Sequence, residues 1–311
     1  DHLPKLAGLT DKLTIVRHFQ TNNGGAHNIQ PIVGPDSLNA NIGSLYSRVV
    51  GTTRSESGMP TNIVVFPDAV QKDVLKGNAR GDIVATGNLG SGYAPFLPGA
   101  GGQLQKDLRL ALDKSRLTDR QTLRAELDKL TQQVAQAADQ KQIDDLQRQA
   151  FEVLLSGGVA DALDIAKEDP ATVAKYDTKH LSRENAWDKV SRGKKGMYNG
   201  HAKAIGKQLL LARRLCEAGC GYVTIHDGYD GIWDMHADSN NLNMKDGMEA
   251  CAPAFDHAVA AFIEDLEARG LTEKIMLVVC GEMGRTPRIN KNGGRDHWGK
   301  LSPLLLYGGG L

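Results

Sequence analysis

The chain has 311 residues, 37 Lys and Arg against 37 Asp and Glu, and a formal net charge of zero. That balance excludes a basic nucleic-acid footprint and a polybasic membrane-surface binder, and no apolar run approaches the ~18 residues of a membrane helix. With 41% apolar and 24% charged residues the chain can bury a core, and Cys216, Cys220, Cys251 and Cys280 are too few for a disulfide scaffold and lack zinc-ribbon spacing.

Residues 13–17 (LTIVR) form a short β-branched run that reads as a buried strand. A polar, glycine-bearing loop with His18 and His27 follows. Residues 62–67 (NIVVFP) read as a second strand stopped by Pro67, and 77–103 as a long Gly- and Pro-rich loop. From 104 to 155 the pattern becomes helical. Leu123, Leu127, Leu130 and Val134, then Ile143, Leu146, Ala150 and Leu154, recur at three- and four-residue steps, which predicts an inserted helical hairpin.

The second half alternates. A helix is predicted over 200–218 with Gly219 after it, a strand over 221–226, and an amphipathic helix over 247–269 with Gly270 after it. Strands follow over 273–280 and 302–307. This rhythm predicts an open, mostly parallel α/β sheet whose ligands sit beyond the carboxyl ends of its strands. The chain begins close to a strand and stops in a glycine turn, and it reads as a single incomplete domain over 1–311.

Polar residues gather at three of the predicted strand exits. Strand 13–17 leads to His18 and His27. Strand 221–226 leads into a loop with Asp230, Asp234, His236 and Asp238. Strand 273–280 leads to Glu282 and Arg285, with Arg295, Asp296 and His297 one loop later. Imidazole and carboxylate from separate strands suit zinc, manganese or iron. A carboxylate beside a histidine can be a ligand or an outer partner of one, and an arginine offers a planar fork to an oxyanion. Singly, each residue has a plainer reading: His18 as a surface residue, Glu282 as a turn cap, Asp296 and His297 as a hydrogen-bonded loop pair. Cys216, Cys220 and Cys280 read as packing residues, and His201 as structural or surface.

Three segments together resemble the DUF1501 family: TIVRHFQTNNGGAH, LLLARRLCEAGCGYVTIHDGYDGIWDMHAD and above all VVCGEMGRTPRINKNGGRDHWGKLSPLLLYGGG. The resemblance implies a three-layer α/β/α sandwich of the alkaline-phosphatase-like and sulfatase-like superfamily. It also implies chemistry on phosphate or sulfate esters, small-molecule or glycan, at a divalent metal (zinc, manganese, calcium or iron). Carried over residue by residue, it makes Asp234, His236, Glu282, Asp296 and His297 metal ligands; the mechanism that follows takes His27, Arg285 and Arg295 as catalytic groups, His27 as a ligand or acid/base group and either arginine as a stabiliser of negative charge. Met283 stands where the superfamily carries a histidine. The HNIQPIVG segment resembles the short nucleophile-bearing helix, without the Cys-x-Pro-x-Arg signature of sulfatases. The resemblance further implies an exported, periplasmic or cell-envelope protein. A non-catalytic anion- or glycan-binding envelope protein on the same fold is the alternative.

Overall fold

A computed structural model of the chain describes residues 2–21, 27–29, 32–76, 80–99, 158–190, 195–229 and 231–311. The predicted hairpin over 104–155 and Asp230 lie outside these residues. The described chain is a mixed α/β fold. Its helices are α1 (Pro4–Ala7), α2 (Ile42–Val50), α3 (Gly158–Leu163), α4 (Pro170–Lys175), α5 (Lys195–Glu217) and α6 (Met244–Ala268). Its strands are β1 (Thr14–Val16), β2 (Asn62–Val65), β3 (Tyr222–Ile225), β4 (Met276–Cys280), β5 (Gly284–Arg285), β6 (His297–Trp298) and β7 (Leu304–Gly308).

The two long helices, α5 and α6, pack on each other. Ile205, Leu209 and Leu210 meet Ala254, Ala258, Phe262, Ile263 and Leu266 there, with Leu6, Tyr176 and Tyr307 closing the cluster. Each such aliphatic side chain, fully removed from water, contributes about 1.5–3 kcal/mol. Both helices stop at the predicted glycines, where Cys220 N–H donates to Leu215 O and Leu271 N–H to Leu266 O. Asn243 caps α6, its side chain accepting from Asp246 N–H at 2.8 Å.

Arg213 is buried between these helices and forks onto Asp265, Glu168 and Glu217 at 2.9, 2.7 and 2.5 Å. Arg214 joins Glu168, and Arg269 joins both Asp265 and Glu168. Burial alone raises the Glu168 carboxyl, but the two guanidiniums Arg213 and Arg214 outweigh it and hold its pKa at about 2.

Strand pairing departs from the mostly parallel expectation. β2 and β3 pair in parallel, with Asn62 opposite Tyr222 and Val65 opposite Ile225. β7 pairs antiparallel with both β1 and β4, and β5 with β6. The connections explain the difference. A parallel return needs a crossover, and α5 lies between β2 and β3. No helix separates β4 from β7, so the chain comes back antiparallel. One face of this three-stranded sheet sends Leu277 and Tyr307 into the core. The opposite face leaves Met276 47% and Val278 51% exposed.

The carboxyl ends of β1 and β4 lie beside the start of β7, and those of the parallel strands β2 and β3 lie side by side. Gln208, buried on α5, donates to Val65 O and His226 O, which ties the helix to the exits of β2 and β3. Ser302 N–H donates to Phe19 O, which joins the start of the β7 segment to the exit of β1.

Candidate metal centre

The loop after β3 is anchored by its apolar residues. Tyr229, Ile232, Met235 and Leu242 are buried against Trp187, Tyr198, Ala250 and Cys251. Met235 lies over Gly247 so closely that a Cβ there would sit 2.7 Å from the Met235 Cγ. With Met235 held inward, its neighbours Asp234 and His236 turn the other way.

A second loop, between β5 and β6, clamps the first. Arg295 N–H donates to Met235 O at 3.0 Å. Asn290 Nδ2 donates to His236 O at 2.9 Å, and Asn292 Nδ2 to Ala237 O at 3.2 Å. The backbones approach so tightly that a Cβ on Gly294 would lie 2.1 Å from His236 O, which only glycine tolerates. The β5–β6 ribbon sets Arg285 directly opposite His297.

Four side chains meet in the space so defined. Ligand atoms of His27, Asp234, His236 and His297 all lie within 4.8 Å of one another. His27 Nε2 is 3.1 Å from Asp234 Oδ2, and His236 Nε2 is 2.8 Å from Asp234 Oδ1. His297 Nε2 is 2.8 Å from His236 Nε2 and 3.4 Å from Asp234 Oδ1. The rings of His27 and His236 each lie against that of His297. Donors at ~2.0–2.1 Å from a tetrahedral zinc lie about 3.3 Å apart, close to the spacings found.

Arg285 Nη1 also bonds Asp234 Oδ1, and its Nη2 is 4.0 Å from Glu282 Oε1. Asp234 is 8% exposed. Its burial favours the neutral acid, but Arg285 with His236 and His27 outweighs that and holds its pKa below the ordinary carboxylate value.

The predicted residues therefore divide. The structure brings His236, His297 and Asp234 together, and with them His27, read as a ligand or an acid/base group. Glu282 and Asp296, expected as ligands, approach from outside. Glu282 Oε1 is 3.2 Å from His27 Nδ1, and Asp296 Oδ1 is 3.5 Å from His236 Nδ1. Arg285 is on the cluster. The Arg295 guanidinium instead donates to Thr286 O at 3.1 Å, and among the described residues it pairs with none of the carboxylates. In the nucleophile-like segment the described residues Ile32 and Val33 donate N–H to Ile29 O, and a short 3-10 helix follows at Pro35–Ser37. His18 is exposed, and Asp238 only caps its own turn through Asn240 and Asn241 N–H. Met283 is buried at 4% exposure.

One pair escaped sequence reasoning. His201, buried on α5, places Nδ1 2.6 Å from Asp227 Oδ1 and Nε2 3.1 Å from Cys251 O. Burial would discharge the ring, and Asp227 reverses this and raises its pKa. The HD step after β3 was the available signal. The cysteines behave as packing residues, their thiols pushed up by burial, those of Cys216 and Cys220 to about 12.

No helix among the described residues is long and apolar enough to cross a membrane. No curated protein and no solved structure matches the chain. One family description does, "Protein of unknown function (DUF1501)", over residues 1–311, and the chain belongs to that family.

Proposed function

We propose that the protein is a metal-dependent hydrolase of phosphate or sulfate esters, exported to the cell envelope and built on an alkaline-phosphatase-like three-layer sandwich. The observation that carries this reading is the convergence of three imidazoles and the Asp234 carboxylate on one point, with the Arg285 guanidinium beside it. The donor set fits a divalent transition metal. Three nitrogens and one oxygen suit zinc, manganese or iron, whereas calcium takes six to eight oxygens. His27, Asp234, His236 and His297 would hold the ion, which supplies Lewis acidity toward an ester oxygen.

The rest of the chemistry belongs to the chain. Asp234 stays ionised at neutral pH and gives the donor set its negative charge. Arg285 offers planar N–H donors at the rim of the same site, suited to the oxygens of a phosphate or sulfate. Buried Met235 and the 290–294 loop fix the donors in place, so little ordering cost remains when an ester binds.

Metal analysis of the purified protein, followed by turnover of aryl phosphate and aryl sulfate, tests the proposal. We expect about one ion per chain, hydrolysis of at least one ester, and loss of both in His236→Ala. Absence of metal together with absence of turnover overturns it.

Buried Met283, in place of a superfamily histidine, favours a second reading: a binding protein that holds an anionic glycan without cleaving it. Tight binding of a sulfated polysaccharide by the metal-loaded protein, with no release of sulfate, decides for that reading.

A further inference from the structure

We infer that Glu282 and Asp296 are positioning residues, each fixing one histidine so that its Nε2 faces the metal, and that neither is itself a ligand. This rests on the metal-site reading above and deepens it.

The two sides of each ring differ in kind. The Nε2 atoms of His27 and His236 face inward, 3.1 and 2.8 Å from the oxygens of the shared Asp234. Their Nδ1 atoms face outward, each toward a different carboxylate: Glu282 at 3.2 Å and Asp296 at 3.5 Å. A carboxylate that accepts from Nδ1–H leaves the Nε2 lone pair free, fixes the ring plane and makes that nitrogen more basic.

Each of the two residues has further contacts, at the carboxylate oxygen that faces the ring and at its backbone. Asp296 Oδ1 accepts from Asn290 Nδ2 at 3.3 Å, and Asp296 N–H donates to Thr286 Oγ1 at 3.2 Å. Glu282 has Arg285 Nη2 4.0 Å away, and its backbone carbonyl accepts from Thr21 Oγ1 at 3.3 Å. Asn290 does double duty, since the same Nδ2 donates to His236 O. The orientation of His236 is therefore set at its backbone and at its ring by one loop. Both carboxylates come from the stretch around the β5–β6 ribbon, whereas the histidines they orient come from two other loops. The ribbon thus assembles the donor set rather than only contributing His297.

The test is zinc affinity, measured by competition with a chromophoric chelator, for wild type, Glu282→Gln, Asp296→Asn and Asp234→Ala. The positioning variants should still bind one ion, about 10- to 100-fold more weakly, as loss of an outer partner does. Asp234→Ala should lose the site. A second readout needs no variant. With 15N-histidine and cadmium-113 in the wild-type protein, the metal coupling should appear on Nε2 of His27 and His236, with the proton on Nδ1. Unchanged affinity in both Glu282→Gln and Asp296→Asn, loss of the site in Glu282→Gln equal to that in Asp234→Ala, or coupling on Nδ1 overturns the inference and leaves the metal site standing. A wild type that binds no metal overturns both.

Discussion

The chain holds two dense clusters of charge, and they are built on opposite plans. Between α5 and α6, the arginines Arg213, Arg214 and Arg269 interlock with the acids Glu168, Glu217 and Asp265. Charges balance and each fork of Arg213 is spent. At the strand exits, three imidazoles and Arg285 crowd a single carboxylate, and the Nε2 atoms of His236 and His297 lie 2.8 Å apart. A cluster that satisfies itself is architecture. A cluster of three imidazoles converging on one carboxylate could hold a cation.

The largest expected effect tests the first half of that contrast. Arg213→Met removes the buried guanidinium that three acids share, and removal of one partner from a buried pair costs about 3–5 kcal/mol. Urea unfolding should show a loss of that size, while the folded fraction still binds zinc. Retention of full stability would break the contrast.

Zinc addresses the second half. An ion that binds only the folded chain stabilises it by about 2.7 kcal/mol at a hundred times its Kd. A zinc-dependent rise in Tm should occur in wild type and vanish in Asp234→Ala. An equal rise in both would put the ion elsewhere.

Acid separates the clusters further. Glu168 has a folded pKa of about 2 against an ordinary 4.5. A depressed carboxylate stabilises the fold fully above its unfolded value and loses that contribution as pH falls through the folded one. The Arg213 network should therefore weaken progressively between pH 4.5 and about 2. Thermal melts across that window should show a smaller acid-dependent fall in Glu168→Gln than in wild type.

The smallest effect is a control. Asn243→Ala removes the α6 cap and should cost ~1 kcal/mol without altering zinc affinity, because Asn243 touches neither cluster's charges.

Much of this was legible in the sequence. The helices predicted at 200–218 and 247–269 are α5 and α6, displaced by a few residues at their starts. Apolar periodicity reports burial on one face, and glycine reports the end. The strand positions were legible from their apolar runs, but β1, read as buried, leaves Ile15 53% exposed, and the pairing was not legible. Direction depends on what the connection does, and the helix-free path from β4 to β7 carries no local signal of an antiparallel return. At the site, residue type announced Asp234, His236 and His297. Sequence could not show that Glu282 faces Nδ1 of His27 while Asp234 faces its Nε2. Nor could it rank Arg285 above Arg295, whose guanidinium the Thr286 carbonyl captures.

The two-residue ribbon of β5 and β6 has a consequence for variation. Side chains on a strand alternate with a period of two, so a one-residue slip turns a side chain to the opposite face. Arg285 and His297 are direct cross-strand partners, and the arc from 286 to 296 therefore works as a ruler. Its composition is free to drift wherever it does not touch the neighbouring loop. Its length is not, because a single deletion there would swing a guanidinium or an imidazole away from Asp234 while leaving every helix in place.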